Sequence, residues 1–143
     1  MNLEGLINIS GKNGLFKVIS NSKNMIIVES LVDKKRIPVH SGNQANMLEE
    51  IGIYTYNDTK PLSSVFEDIA KKENYNQTIS HKLSKNELTE YFRKIVPDYD
   101  EEKVYISDIK KVIQWYNLLQ SKKIIKKKEE KKKITKKKKW KKI

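Results

Sequence analysis

Through residues 1–57, apolar positions come in short, loosely alternating runs broken by turn signals, which is the pattern of strands. Leu6–Ser10 forms the first run, and the Asn-Gly step in Gly11-Lys12-Asn13-Gly14 supplies a tight hairpin turn before Leu15–Ser20. Asn21–Asn24 turns the chain into the β-branched run Met25–Leu31, and Asp33–Lys35 turns it again into Arg36–Val39. Pro38 there cannot donate to a ladder and suits an edge strand. A polar loop with a short helical piece over Ala45–Glu50 leads to a predicted fifth strand, Ile51–Tyr56. Five short strands joined by tight turns imply a small, strongly bent antiparallel barrel.

From residue 58 the period changes. Leu62, Val65, Phe66 and Ile69 recur at i, i+3, i+4 and i+7 behind Pro61, so Pro61–Lys72 is predicted helical. Asn74–His81 reads as a polar connector. Ser84-Lys85-Asn86-Glu87 is a capping-box pattern opening a second helix, with Leu88, Tyr91, Phe92 and Ile95 on one stripe and a stop before Pro97. Ser107 is the expected cap of a third helix whose face is Ile109, Val112, Ile113, Tyr116 and Leu119. Trp115 and Tyr116 point about 100° apart on that helix, so one belongs to the core and the other to its margin or to the barrel. The fold class is therefore α+β: a five-stranded SH3- or Tudor-like barrel over 1–57, a helical part over 58–120, and a lysine-rich tail over 121–143.

Charge sharpens this division. The chain has 143 residues and a net charge of +12. Residues 1–120 hold 16 basic and 16 acidic side chains, whereas residues 121–143 hold 14 lysines against Glu129 and Glu130, so the tail carries the whole excess. No Gly or Pro follows Leu119 to stop the last helix, yet like charges at i, i+4 repel, and the free tail is expected to be disordered. Ile124, Ile125, Ile134, Trp140 and Ile143 are too sparse for a core stripe, so a cut after Gln120 is expected to leave the body folded. A polyanionic partner follows from the tail: Lys126, Lys127, Lys128, Lys131, Lys132, Lys133, Lys136, Lys137, Lys138 and Lys139 are candidate phosphate contacts, and Trp140 a candidate base-stacking group. Lysine holds phosphates but reads bases poorly, so RNA and DNA both remain open. Lys, Ile and Asn are all encoded by AT-rich codons, so codon bias is a rival origin of the tail's length.

Catalytic patterns are scarce. There is no cysteine, hence no disulfide or thiolate chemistry, and His40 and His81 have no metal-ligand spacing. The acidic run Asp98–Glu102 lacks the glycine and distal glutamate of a calcium loop and is expected to precharge the start of the next helix. Gly11–Gly14 lacks the spacing of a phosphate loop, and no Gly-x-Ser-x-Gly elbow occurs. No enzyme, cofactor or metal is expected. No run of about 18 apolar residues exists to span a membrane, and the opening MNLEGLINIS lacks a secretory pattern, so a cytoplasmic protein is expected. Tyr54 and Tyr56, two apart on the predicted fifth strand, are candidates for a groove on the barrel.

The ordered series Gly5–Lys12, Gly14–Lys17, Ile27–Leu31, Ile53–Tyr56, Pro61-Leu62, Val65-Phe66, Pro97–Asp100, Val104–Lys111 and Trp115–Asn117 resembles a family of small uncharacterised Bacteroidetes proteins assigned to a domain of unknown function. The resemblance covers about residues 3–119. It implies a Tudor- or SH3-like N-terminal domain followed by helices, brings no catalytic residues, and points to lineage-specific ribosomal components. The expected function is thus non-enzymatic binding of RNA, rRNA before other polyanions, with ribosomal proteins as further partners and no membrane. The alternatives are a protein–protein adaptor whose barrel binds a peptide, and a DNA-associated protein.

Overall fold

The computed structural model describes residues 3–12, 14–40 and 45–126. Its main sheet is antiparallel with strand order β4-β3-β2-β1-β5, from β1 (Leu6–Ile9), β2 (Phe16–Ser22), β3 (Met25–Ser30), β4 (Arg36–His40) and β5 (Ala45–Met47). Asn13 of the predicted turn and residues 41–44 of the polar loop lie outside the described residues. Pro38 does sit on an edge strand. Ser22 Oγ donates to Met25 O at 3.0 Å across the β2–β3 turn. Between β3 and β4, Ser30 Oγ accepts from Val32 N at 3.1 Å, and the Asp33 carboxylate accepts from Lys35 N at 3.0 Å. A register shift between Val18 and Ser20 marks a bulge in β2, the device that bends and twists a strand.

The predicted fifth strand is corrected. β5 takes its place beside β1, with Ile7 opposite Met47, Asn8 opposite Asn46 and Ile9 opposite Ala45. Only Leu48–Glu50 of the expected helical piece is helical, as one 3-10 turn. Residues 52–54 instead form β6 (Gly52–Tyr54), which pairs with β7 (Thr59–Pro61) in a separate hairpin. The predicted run Ile51–Tyr56 does contain a strand, Gly52–Tyr54, but Ala45–Met47 is too short and exposed to carry a periodic signal.

The sheet uses both faces. Ile7, Ile9, Phe16, Val28 and Val39 form one buried cluster whose described members all come from β1–β4, so the sheet curves round its own apolar face. Leu6 points the other way and joins Leu3, Leu15 and Leu48 in a larger core shared with the helices. Burying one such aliphatic side chain contributes about 1.5–3 kcal/mol.

The helices are α1 (Leu62–Lys72), α2 (Lys85–Ile95) and α3 (Ile106–Ser121). α1 buries Leu62, Val65, Phe66 and Ile69, the stripe read from the sequence. α2 opens with the expected capping box: Glu87 N donates to Ser84 Oγ at 3.2 Å and Ser84 N to Glu87 Oε1 at 3.3 Å. The cap of α3 is corrected. The helix starts at Ile106, ahead of Ser107, and the Asp108 carboxylate accepts from Tyr105 N at 2.9 Å. Asp108, not the run 98–102, is the acidic residue of the first turn.

The far end of α3 is corrected too. Lys123 adopts φ 62°, Lys123 N donates to Gln120 O at 3.0 Å and Ile124 N to Leu119 O at 2.9 Å. These two bonds are the Schellman stop usually built on glycine. They return the chain to the body, where Ile125 is 1% exposed in the larger core. A cut after Gln120 would remove that core residue, so the body extends through Ile125.

Candidate functional site

A concavity lies where the paired strands β1 and β5 meet β6 and the start of α3. It is a cavity of about 260 Å³. Ile51, Ile53, Leu62, Val104 and Val112 supply its apolar lining. Asn8 follows Leu6 by two residues and so shares the face that looks toward the helices; Asn46, directly opposite on β5, shares it as well. Both asparagines line the cavity, and neither side-chain amide has a hydrogen-bond partner among the described residues. Tyr54, Lys103, Lys111 and Trp115 complete the wall. Lys103 Nζ lies 5.3 Å from the centre of the Tyr54 ring, within cation–π range. Trp115 and Tyr116 are both buried in the larger core, at 6% and 0% exposure, so the expected division of the pair is corrected, although Trp115 also lines the cavity.

Tyr54 and Tyr56 do not lie on the five-stranded sheet. Beyond β6 the chain pairs with the segment before α3: Tyr56 N donates to Asp98 O at 3.1 Å, Asp100 N to Tyr54 O at 2.9 Å, and Thr55 bridges Tyr99. Tyr99 packs edge-on against Phe92 at 5.1 Å, and Arg93 bonds Glu101 at 2.8 Å, so this segment is held on α2. The two tyrosines are 52% and 61% exposed, and only Tyr54 reaches the cavity.

On the opposite side, α3 organises the connector 73–83. The Asn117 amide accepts from Thr78 N at 2.8 Å and donates to Ile79 O at 3.0 Å. Tyr116 Oη donates to Asn76 O at 2.8 Å, and Tyr91 Oη donates to the Glu73 carboxylate at 2.6 Å, with Thr78 Oγ1 within 2.6 Å of that hydroxyl. Burial first, then the Glu73 bond, raises the Tyr91 pKa far above the ordinary tyrosine value. Burial also pushes Tyr116 up to about 12. These are hydroxyls held neutral for structure; among the described residues no group of His, Asp or Glu is arranged to hold a metal ion.

Of the predicted phosphate contacts, Lys126 is exposed one residue beyond the anchored Ile125. Lys127, Lys128, Lys131, Lys132, Lys133, Lys136, Lys137, Lys138, Lys139 and Trp140 lie outside the described residues. The sequence reading missed Asn8, Asn46, Lys103 and Lys111. Asn8 and Asn46 become a pair only once β5 is placed, whereas Lys111 and Trp115 carried a usable signal in their i, i+4 spacing. No helix among the described residues is long and apolar enough to cross a membrane.

These features define a small α+β protein in which a curved sheet and a three-helix unit share one core and enclose a mixed polar and aromatic cavity. Residues 3–48 match the Domain of unknown function (DUF5606) and residues 51–119 the Domain of unknown function (DUF6852). A protein from Bacteroides vulgatus, solved in solution by NMR as a structural-genomics target, is 41% identical, with 87% of this chain and 90% of that one covered and a TM-score of 0.71. The chain belongs to the family of that protein, built from these two domains of unknown function. Comparison with curated proteins gave no match.

Proposed function

We propose that the protein is a non-enzymatic, cytoplasmic RNA-binding protein associated with the ribosome. The observation that carries this reading is the segregation of charge: the first 120 residues balance to zero and the last 23 hold the entire +12. Such a segment gains affinity by releasing counterions from a phosphate backbone. The Schellman turn supports the reading by fixing where the lysines leave the body, since Lys126 follows directly on buried Ile125. We also read the main sheet as an SH3- or Tudor-like barrel, from the meander β1–β4, the return of β5 beside β1 and the cluster of buried residues inside the curve.

A peptide-binding adaptor is the second reading, favoured by the exposed Tyr54, Tyr56 and Tyr105. Sucrose-gradient sedimentation of cell lysate, with and without nuclease and across a salt series, separates the two. Comigration with a ribosomal subunit that high salt releases is the expected result. Sedimentation at the top of the gradient in low salt ends the ribosomal reading.

A further inference from the structure

We propose that the cavity between the β1/β5 edge, β6 and α3 is a binding site for the base of an unpaired nucleotide. The inference deepens the RNA-binding reading and rests on it. Three observations converge. First, the cavity is small, about 260 Å³, which suits one planar ring system better than a folded peptide. Second, its wall combines aromatic and amide groups: Trp115 and Tyr54 line it together with Asn8 and Asn46, whose amides have no partner among the described residues. An amide presents donor and acceptor together, the pairing needed to read a base edge, and aromatic side chains are where unstacked bases dock. Asn8 is half-buried and Asn46, opposite it, is exposed, so a ligand can reach both amides from solvent.

Third, the cationic groups are placed for the phosphate. Lys103 and Lys111 stand at the cavity, and the Asp108 carboxylate beside them is engaged at the α3 cap. Lys111 and Trp115 on α3 and Lys122 at its C-cap recur at i, i+4 and i+11, one stripe along the helix in which Trp115 is buried. That stripe runs on the order of 17 Å along the helix axis from the cavity to the turn where the lysine segment begins. A single strand whose base enters the cavity can therefore set the adjoining phosphates against Lys103 and Lys111. A duplex cannot, because its bases remain stacked.

The test uses isotope-labelled full-length protein titrated separately with AMP, CMP, GMP and UMP, with inorganic phosphate, and with a single-stranded and a duplex RNA. The side-chain amide signals of Asn8 and Asn46 and the indole signal of Trp115 should move with at least one nucleotide and not with phosphate. Asn46→Ala and Lys111→Ala, both at exposed positions, should each weaken single-strand affinity about fivefold, the loss of roughly one hydrogen bond or ion contact, and leave duplex affinity unchanged. If RNA binds while these signals stay still, or phosphate alone moves them, the base site is wrong and the RNA-binding reading stands. If nucleotides move them but neither RNA binds, the site stands and the RNA-binding reading falls. Silence in every titration overturns both.

Discussion

Lys123 pays for its place at the end of α3. Its φ of 62° lies in the left-handed region, which costs a residue with a Cβ about 1–2 kcal/mol. Replacing it by glycine removes that strain but adds freedom to the unfolded chain, so Lys123→Gly should stabilise the protein by about 0.5–1 kcal/mol in a thermal melt. Lys122→Gly, at φ −94°, has no strain to relieve and should not stabilise. Tyr116 makes stability depend on pH. Unfolded, it ionises near its ordinary 10.0; folded, burial and then the Glu73 charge raise it to about 12. Between those values the unfolded chain has released a proton that the folded chain keeps, so stability is intact below pH 10 and falls as pH rises toward 12. Denaturation midpoints measured across that window should decline, and Tyr116→Phe should lessen the decline and leave the part that Tyr91 contributes. At neutral pH the same variant should lose about 1 kcal/mol with the bond to Asn76 O. Neither residue announces its role in the sequence: a lysine among lysines gives no sign of a helix stop, and the partner of Tyr116 lies 40 positions away.

At the scale of elements, the helices were the more legible half. Leu62, Val65, Phe66 and Ile69, and the Ser84–Glu87 box, are local patterns whose periodicity alone dictates their fate. Strand pairing depends on partners distant in sequence, and there the reading exchanged β5 for β6. Ile51–Tyr56 has the better strand pattern, but Gly52 commits it elsewhere. A Cβ on Gly52 would stand 2.3 Å from Thr59 Cγ2, so β6 and β7 approach only because that position has no side chain. Gly52→Ala should therefore force the hairpin apart and cost about 1–3 kcal/mol, read by denaturant unfolding. Adding Thr59→Ser removes the clashing methyl; the remaining neighbours, at 3.5 and 3.7 Å, are ordinary contacts, so the double variant should recover most of the loss. Recovery fails if Gly52 is needed for some other reason, such as a ligand's approach to the cavity that it lines.

For the whole molecule, the division into neutral body and basic segment was readable from composition, whereas the cavity was not, because it forms at a junction of β1, β5, β6 and α3. That geometry assigns the two parts different work. The segment after Lys126 carries eleven lysines and two glutamates, nine of the twelve net charges, and supplies affinity that salt erodes. Beside Lys103, Lys111 and Asp108 the cavity wall offers uncharged amides and aromatic rings, whose contacts salt hardly screens. Single-strand RNA affinity of the full chain should thus fall steeply with salt, by about 0.7 in log–log slope for each phosphate neutralised. A chain ending at Lys126, which keeps Ile125 in the core, should lose most of that slope and bind weakly at low salt. Trp140→Ala should behave oppositely, costing about 1–3 kcal/mol if the indole stacks on a base while leaving the slope as it was. Affinity measured by fluorescence anisotropy from low to high salt distinguishes these outcomes. A full-length chain whose slope matches that of the shortened one would mean that the lysines do not touch phosphate, and the charge segregation would then reflect codon usage or solubility.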